Sequence, residues 1–206
     1  MTSKRLLLST VVLAALVLAA FTVQPPNEAL QIGDKAPLTD VEMLGVSGET
    51  FTLEGTAGEN GLLVMYSCNT CPWVTAWEDR YNGIAELADE LGLGFIVLNP
   101  NARYRERGDG FEDMKMRAEK MGYDFPYVVD KDAQLATAFG ATKTPEAFLF
   151  NNEMILNYHG AIDDNAKNRD QVEQHFLAEA MKRMVAGETI DPNETKSIGC
   201  GIKFPR

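Results

Sequence analysis

The sequence predicts an α/β domain: a mixed central sheet with helices on both faces, an N-terminal β-hairpin and a C-terminal extension. Three observations carry this expectation. The runs Leu62 to Tyr66, Leu93 to Leu98 and Glu146 to Phe150 are short and almost wholly apolar, as in strands buried on both sides. Between them, apolar residues recur at helical spacing. Strands and helices alternate in the order ββ–β–α–β–α–β–α–β–β–α, with no internal repeat. Composition agrees. A chain of 206 residues, 45% hydrophobic and 24% charged, has the make-up of an ordinary folded domain. Three cysteines are too few for a disulfide-stapled mini-fold. A formal charge of −11 argues against nucleic acid as a partner, because no basic stripe faces phosphates.

The elements follow in order. Lys4 and Arg5 precede an apolar run from Leu6 to Val23, the layout of a secretory signal peptide. That run is also long enough to serve as an uncleaved membrane anchor. Residues 1–23 are therefore expected to direct export to the periplasm or another extracytoplasmic space. Residues 24–30 read as a linker and 31–206 as the folded domain, with membrane contact only through an uncleaved anchor. Asp40 to Leu44 and Thr50 to Leu53 flank Gly45-Val46-Ser47-Gly48 as a hairpin, and Glu54 to Gly61 reads as a loop. After the strand ending at Tyr66, the positions Trp73, Val74, Trp77, Tyr81, Ile84, Leu87, Ala88 and Leu91 predict one helix closed by Gly92. A strand to Leu98 ends at Asn99-Pro100, and Arg103 to Gly110 is a polar loop. Phe111, Met114, Ala118 and Met121 mark a helix, and Tyr127 to Val129 a strand. Asp132 is placed to cap a short helix reaching Phe139. Glu146 to Phe150 and Met154 to Tyr158 form a hairpin around Asn151-Asn152. An amphipathic helix from Val172 to Val185 is stopped by Gly187.

The chemistry concentrates at Cys68-Asn69-Thr70-Cys71-Pro72-Trp73-Val74, between a predicted strand and a predicted helix. Two intervening residues let one helical turn bring the sulfurs within bonding range. At a helix N-terminus, unpaired N–H groups and the macrodipole favour a thiolate. Cys68 is expected to be the more exposed nucleophile and Cys71 the resolving thiol. Pro72 lacks only an N–H that would be unpaired there anyway. Other readings of the pair are half of a zinc site, a copper site with a histidine as third ligand, and an inert structural disulfide. The first lacks a second cysteine pair, and the only histidines are His159 and His175. Thr144-Pro145 stands just before a strand, either as an ordinary trans-proline loop or as a cis-proline.

With the Cys-x-x-Cys and the strand order, Thr144-Pro145 resembles the cis-proline loop of the thioredoxin superfamily. Within it the chain resembles the redoxin branch, which holds the AhpC/TSA and TlpA/ResA-like proteins. Further matching stretches are Ile32-Gly-Asp-Lys-Ala-Pro37, Gly122-Tyr-Asp-Phe-Pro-Tyr127, Ile162-Asp-Asp164 and Ser197-Ile-Gly-Cys-Gly-Ile-Lys203. Together they are most similar to a peroxiredoxin-like thioredoxin subfamily. The resemblance implies a thioredoxin-like fold, a proline loop packed on the cysteines, and a Thr144 backbone free to pair with an extended substrate. Trp73 would join Thr144 and Pro145 in binding substrate. Departures are plain. Met65 stands where a peroxiredoxin has Thr or Ser before its reactive cysteine, Leu62 where thioredoxin has a buried Asp, and Thr70 where the subfamily has His.

The resulting expectation is an exported thiol–disulfide oxidoreductase acting on protein thiols and disulfides through Cys68 and Cys71. It would exchange electrons with an unidentified donor or acceptor and need no organic cofactor or metal. A thiol peroxidase using Cys68 and a non-enzymatic copper- or zinc-binding or interaction protein are the alternatives. Cys200 is expected as a buried or free thiol, with a third redox role open. His159 is expected to be structural and Glu78 a solvated helix residue. His175 is expected on a polar face, and Arg103, Arg105 and Arg107 in a solvated loop.

Overall fold

The computed structural model describes residues 29–206. The expected signal or anchor, residues 1–23, lies outside the described residues, as does most of the linker. Among the described residues no helix is long and apolar enough to cross a membrane.

The first elements among the described residues form a hairpin, β1 (Met43–Leu44) and β2 (Thr50–Phe51). The stretch expected as a loop begins instead with a one-turn helix, α1 (Leu53–Thr56), because the Thr52 side chain accepts the Gly55 N–H as an N-cap. Next come β3 (Gly61–Tyr66), α2 (Pro72–Trp77), α3 (Tyr81–Glu90), β4 (Leu93–Asn99), α4 (Phe111–Met121) and β5 (Tyr127–Val129). The second half holds α5 (Gln134–Phe139), β6 (Lys143–Thr144), β7 (Glu146–Asn151), β8 (Leu156–Gly160), α6 (Phe176–Val185) and β9 (Cys200–Gly201).

β3 pairs antiparallel with β7, β7 with β8, and β4 runs parallel to β5. β3 lies beside β4, giving a mixed five-stranded sheet in the order β5–β4–β3–β7–β8. The apolar runs are continuous because both faces are covered. Leu63, Met65, Phe95, Val97, Ala147 and Leu149 face α3, α4 and α6. Their neighbours Leu62, Val64, Tyr66, Ile96, Leu98, Phe148 and Phe150 face α5, α1 and the hairpin. This period of two assigns each strand residue to one of two cores. The edges are also covered. The hairpin docks on β5 through Val46 N–H to the Tyr127 carbonyl, 3.0 Å. The chain after α6 runs along β8, where His159 N–H meets the Asn193 carbonyl at 3.1 Å.

Three expectations on helices change. The long helix from Trp73 is two, α2 and α3, joined by a tight 3₁₀ turn over Glu78–Arg80. There Arg80 turns inward to Asp163, which also accepts the Trp77 indole N–H at 2.9 Å. The last helix starts at Phe176 rather than Val172. α5 is capped by Asp130, whose carboxylate accepts the Leu135 and Ala136 N–H groups at 3.0 and 2.9 Å. Asp132, expected in that role, sits at φ 55° in the turn before it.

Candidate active site

The end of β3 delivers the cysteine pair. Ser67 N–H donates to the Leu98 carbonyl at 2.8 Å, and the chain then leaves the sheet. Asn69 and Thr70 form a bend, and Cys71 is the last residue before α2, with Pro72 at its first position. The pair therefore straddles a bend ahead of the helix and does not occupy its first turn.

That bend is gripped by a residue the sequence reading missed. Asp109 is fully buried, and its Oδ1 accepts the Asn69 N–H at 2.6 Å. Its Oδ2 accepts the Thr70 hydroxyl at 2.7 Å. Asn99 and Asn101 donate to the same carboxylate at 3.1 and 2.9 Å. A buried charge needs this many donors to offset its lost hydration. Arg105 closes the network beneath, donating to Asn99 Oδ1 at 3.0 Å and to the Asp109 and Asp130 carbonyls. Of the three loop arginines expected in solvent, Arg105 is thus half-buried and engaged in this network, while Arg103 and Arg107 are exposed. Glu78 also departs from expectation. It is buried, and Arg117 pairs with it at 2.7 Å, so it offers no free base to the thiols.

Thr144 holds both sulfurs. Cys68 Sγ lies 3.1 Å from the Thr144 hydroxyl, and Cys71 Sγ lies 3.2 Å from the Thr144 carbonyl. The Thr144–Pro145 bond is cis, and the loop packs on the pair as the resemblance implied. Glu146 braces that loop by accepting the Thr142 and Lys143 N–H groups at 2.7 and 3.0 Å. Its other oxygen meets His159 Nε2 at 3.0 Å, and His159 stacks on Phe148, which gives His159 a structural role. His175 is exposed at the start of α6. Trp73 is half-buried against the cysteine cluster. Among the described residues, no group of three or more His, Cys, Asp or Glu side chains is placed to hold a metal ion.

Two expectations are corrected here. Cys68 is not the exposed thiol, since Cys68 and Cys71 are each 2% exposed. The Thr144 backbone is not free either. β6 already pairs antiparallel with β9, which puts Cys200 opposite Thr144. Cys200 therefore packs against the pair, a contact between positions too distant in sequence for any local pattern to signal.

The two thiols titrate as a coupled pair. Hydrogen bonding from Cys68, aided by Cys200 and the Val74 N–H, outweighs burial and holds Cys71 down at about 5. The bond to Cys71, then burial and the Asp109 charge, push Cys68 up. Cys71 is thus the more acidic of the two thiols, and in its protonated form it donates to the Thr144 carbonyl. Burial and a bond to Cys71 also raise Cys200.

No curated protein matches the chain. Among solved structures, an uncharacterized conserved protein from Geobacillus kaustophilus is 28% identical, with a TM-score of 0.78 over 85% of this chain and 93% of that one. Peroxidoxin BcpB from Mycobacterium tuberculosis, at 12% identity, aligns with a TM-score of 0.53 over 76% of this chain and 95% of that one. A DsbE-type thiol:disulfide interchange protein from Chlorobium tepidum, at 16% identity, aligns with a TM-score of 0.55 over 77% and 98%. The last two share the thioredoxin-like fold alone. The AhpC/TSA family matches residues 32–159, a span that runs from before the hairpin to β8 and contains the cysteine pair and the cis-proline loop, and the chain belongs to that family.

Proposed function

We propose that this protein is an exported thiol–disulfide oxidoreductase whose redox couple is the Cys68–Cys71 dithiol and disulfide. One observation carries the reading. Two buried cysteines pack together across a bend before a helix, with both sulfurs against Thr144 of the cis-proline loop. The Cys71 thiolate attacks a partner disulfide, forming a mixed disulfide and releasing one partner thiolate. Cys68 then gives up its proton and attacks Cys71 Sγ. The Cys68–Cys71 bond forms, and the second partner thiolate leaves and takes the proton. The reverse sequence oxidises a partner dithiol. Partners are protein thiols or disulfides, with a separate electron donor or acceptor. Residues 1–23 would deliver the chain to an oxidising compartment, as signal or anchor.

A depressed thiolate stabilises the reduced form and so raises the potential. The expected value lies between those of thioredoxin, about −270 mV, and DsbA, about −120 mV. The test equilibrates the full chain in graded thiol–disulfide buffers, alkylates free thiols and measures mass. If no Cys68–Cys71 disulfide forms at any potential, the reading is wrong.

Family membership and the low Cys71 value favour a second reading, thiol peroxidase. The Cys71 thiolate would take one oxygen from a hydroperoxide, leaving a sulfenic acid and an alkoxide that takes a proton from water to become the alcohol. Cys68 would displace water from that sulfenic acid to give the same disulfide. Three positions before Cys71 stands Cys68, and three before Cys68 stands Met65, which faces the core, so neither sulfur has the polarising hydroxyl of a peroxiredoxin at that position. Peroxide consumption is therefore expected to be slow beside disulfide exchange, and a stopped-flow comparison decides between the two.

A further inference from the structure

The C-terminal strand occupies the edge that an extended partner would use. Cys200 lies opposite Thr144 and Gly201 opposite Lys143. Ile202 N–H continues the pairing to the Thr142 carbonyl at 3.1 Å. The far side of the strand is tied down as well. Lys203 N–H donates to Asn101 Oδ1 at 2.9 Å, and the Lys203 carbonyl accepts the Arg103 N–H at 3.0 Å. Contact with the proline loop is so close that position 199 must be glycine: a Cβ there would lie 2.4 Å from the Thr144 carbonyl oxygen. The Thr144 carbonyl in turn lies 3.2 Å from Cys71 Sγ. A cysteine on this strand is thus held where the sulfur of a bound substrate would have to be. Cys200 also lies beyond the family match, which ends at residue 159.

We infer that the Gly199–Ile202 strand is an internal substrate, with Cys200 a third redox thiol that exchanges with Cys71. The inference rests on the proposed dithiol chemistry. After Cys68 and Cys71 have been oxidised by a partner disulfide, the Cys200 thiolate attacks Cys71 Sγ. The Cys71–Cys200 bond forms and the Cys68–Cys71 bond breaks. The bonding pair stays on Cys68, which takes the proton Cys200 gave up. No electron leaves the chain, and no outside oxidant is consumed. In the disulfide state Cys200 no longer donates to a thiolate, while Lys203 still favours its ionisation. The product is an oxidised chain with Cys68 free.

The test maps disulfides in the full chain after equilibration with oxidised glutathione and alkylation. In Cys68→Ser, both remaining thiols are expected to be lost together as a Cys71–Cys200 disulfide. This should exceed the glutathione adduct by about tenfold, because the competing thiol is held in the same molecule. A Cys71–glutathione adduct with Cys200 free overturns the inference. The wild-type chain gives an independent answer that needs no variant to fold. Its oxidised pool is expected to contain both Cys68–Cys71 and Cys71–Cys200 isomers, the second with Cys68 alkylated. Cys68–Cys71 alone overturns the internal exchange and leaves the proposed oxidoreductase standing. No disulfide in either protein overturns both.

Discussion

At the scale of single residues, the site depends on what surrounds each sulfur, and that is open to titration. Thiolate absorbance of the reduced chain should rise with a midpoint near about 5, far below an ordinary cysteine. The largest cause is the hydrogen bond from Cys68, so Cys68→Ala removes a donor to the anion and the midpoint must move up. A midpoint that stays put would show that Cys68 is not the donor. The linkage has a definite sign. A thiol whose folded value is depressed stabilises the reduced fold fully above the ordinary cysteine range, and that contribution is lost as pH falls through about 5. Asp109 tests the other side of the bend. Asp109→Ala leaves the Asn69 N–H, the Thr70 hydroxyl and the Asn101 amide without this acceptor, and leaves the Asn99 amide only Tyr127. Stranding these buried donors costs on the order of 3 kcal/mol, measurable by urea unfolding of the reduced chain. A loss below about 0.5 kcal/mol, the range of ordinary surface changes, would mean the network is not holding the bend. The sequence announces the cysteines by their spacing. Asp109, in Gly108-Asp109-Gly110, announces only a turn, because its meaning comes from partners some forty positions upstream.

At the scale of elements, legibility follows burial. β3, β4 and β7 stand out in the sequence because residues on both of their faces enter a core, leaving no polar interruption. α4 stands out because Met114 and Ala118 fall on one stripe and Gly122 closes it at φ 64°. The break between α2 and α3 is hidden, since Trp77, Tyr81 and Ile84 keep helical spacing across it. What breaks the helix is long-range: Arg80 donates to Asp163 at 3.2 Å and to the Asn165 carbonyl at 2.8 Å. The cap of α5 is misread by two residues for a similar reason, because Asp132 and Asp130 both suit a cap and only the fold buries one of them. This yields a prediction with a pH sign. Burial pushes Asp130 up to about 6 despite the backbone N–H groups that donate to it. The folded chain therefore holds that proton more tightly than the unfolded chain between about 4 and about 6, and stability falls as pH rises through this window. Asp130→Asn cannot ionise, so the wild type should lose stability relative to it from pH 4 to pH 7. Parallel stability profiles for the two proteins would sink this account of the cap.

At the scale of the whole molecule, the C-terminal extension completes the site. The chain after α6 crosses the outer edge of β8 and returns to lie on β6, so the last residues of the sequence cover a pair of cysteines more than a hundred positions earlier. Sequence reasoning could place Cys200 only by likeness. β6 and β9 are two residues each, too short for a hydrophobic period, and neither has meaning without the other. The covering strand explains why neither Cys68 nor Cys71 is the exposed nucleophile expected of such a pair, and it implies that access to them is set by the tail. Gly199 is the point of leverage. A Cβ at this position meets the carbonyl carbon of Thr144 at 2.7 Å and the Pro145 nitrogen at 3.2 Å. Both are backbone atoms of a loop braced by Glu146, so the tail must yield and the loop stays. Gly199→Val is therefore expected to lift β9 from β6 and leave the sheet and both cores in place. Alkylation of Cys68 and Cys71 in the reduced chain at pH 7 should accelerate by about tenfold or more, on the reasoning that a locally opened segment has a small free energy of exposure. Far-ultraviolet circular dichroism should not change. If the variant keeps its secondary structure and alkylates at the wild-type rate, the tail is not the barrier, and the two sulfurs are protected by Thr144 and the bend alone.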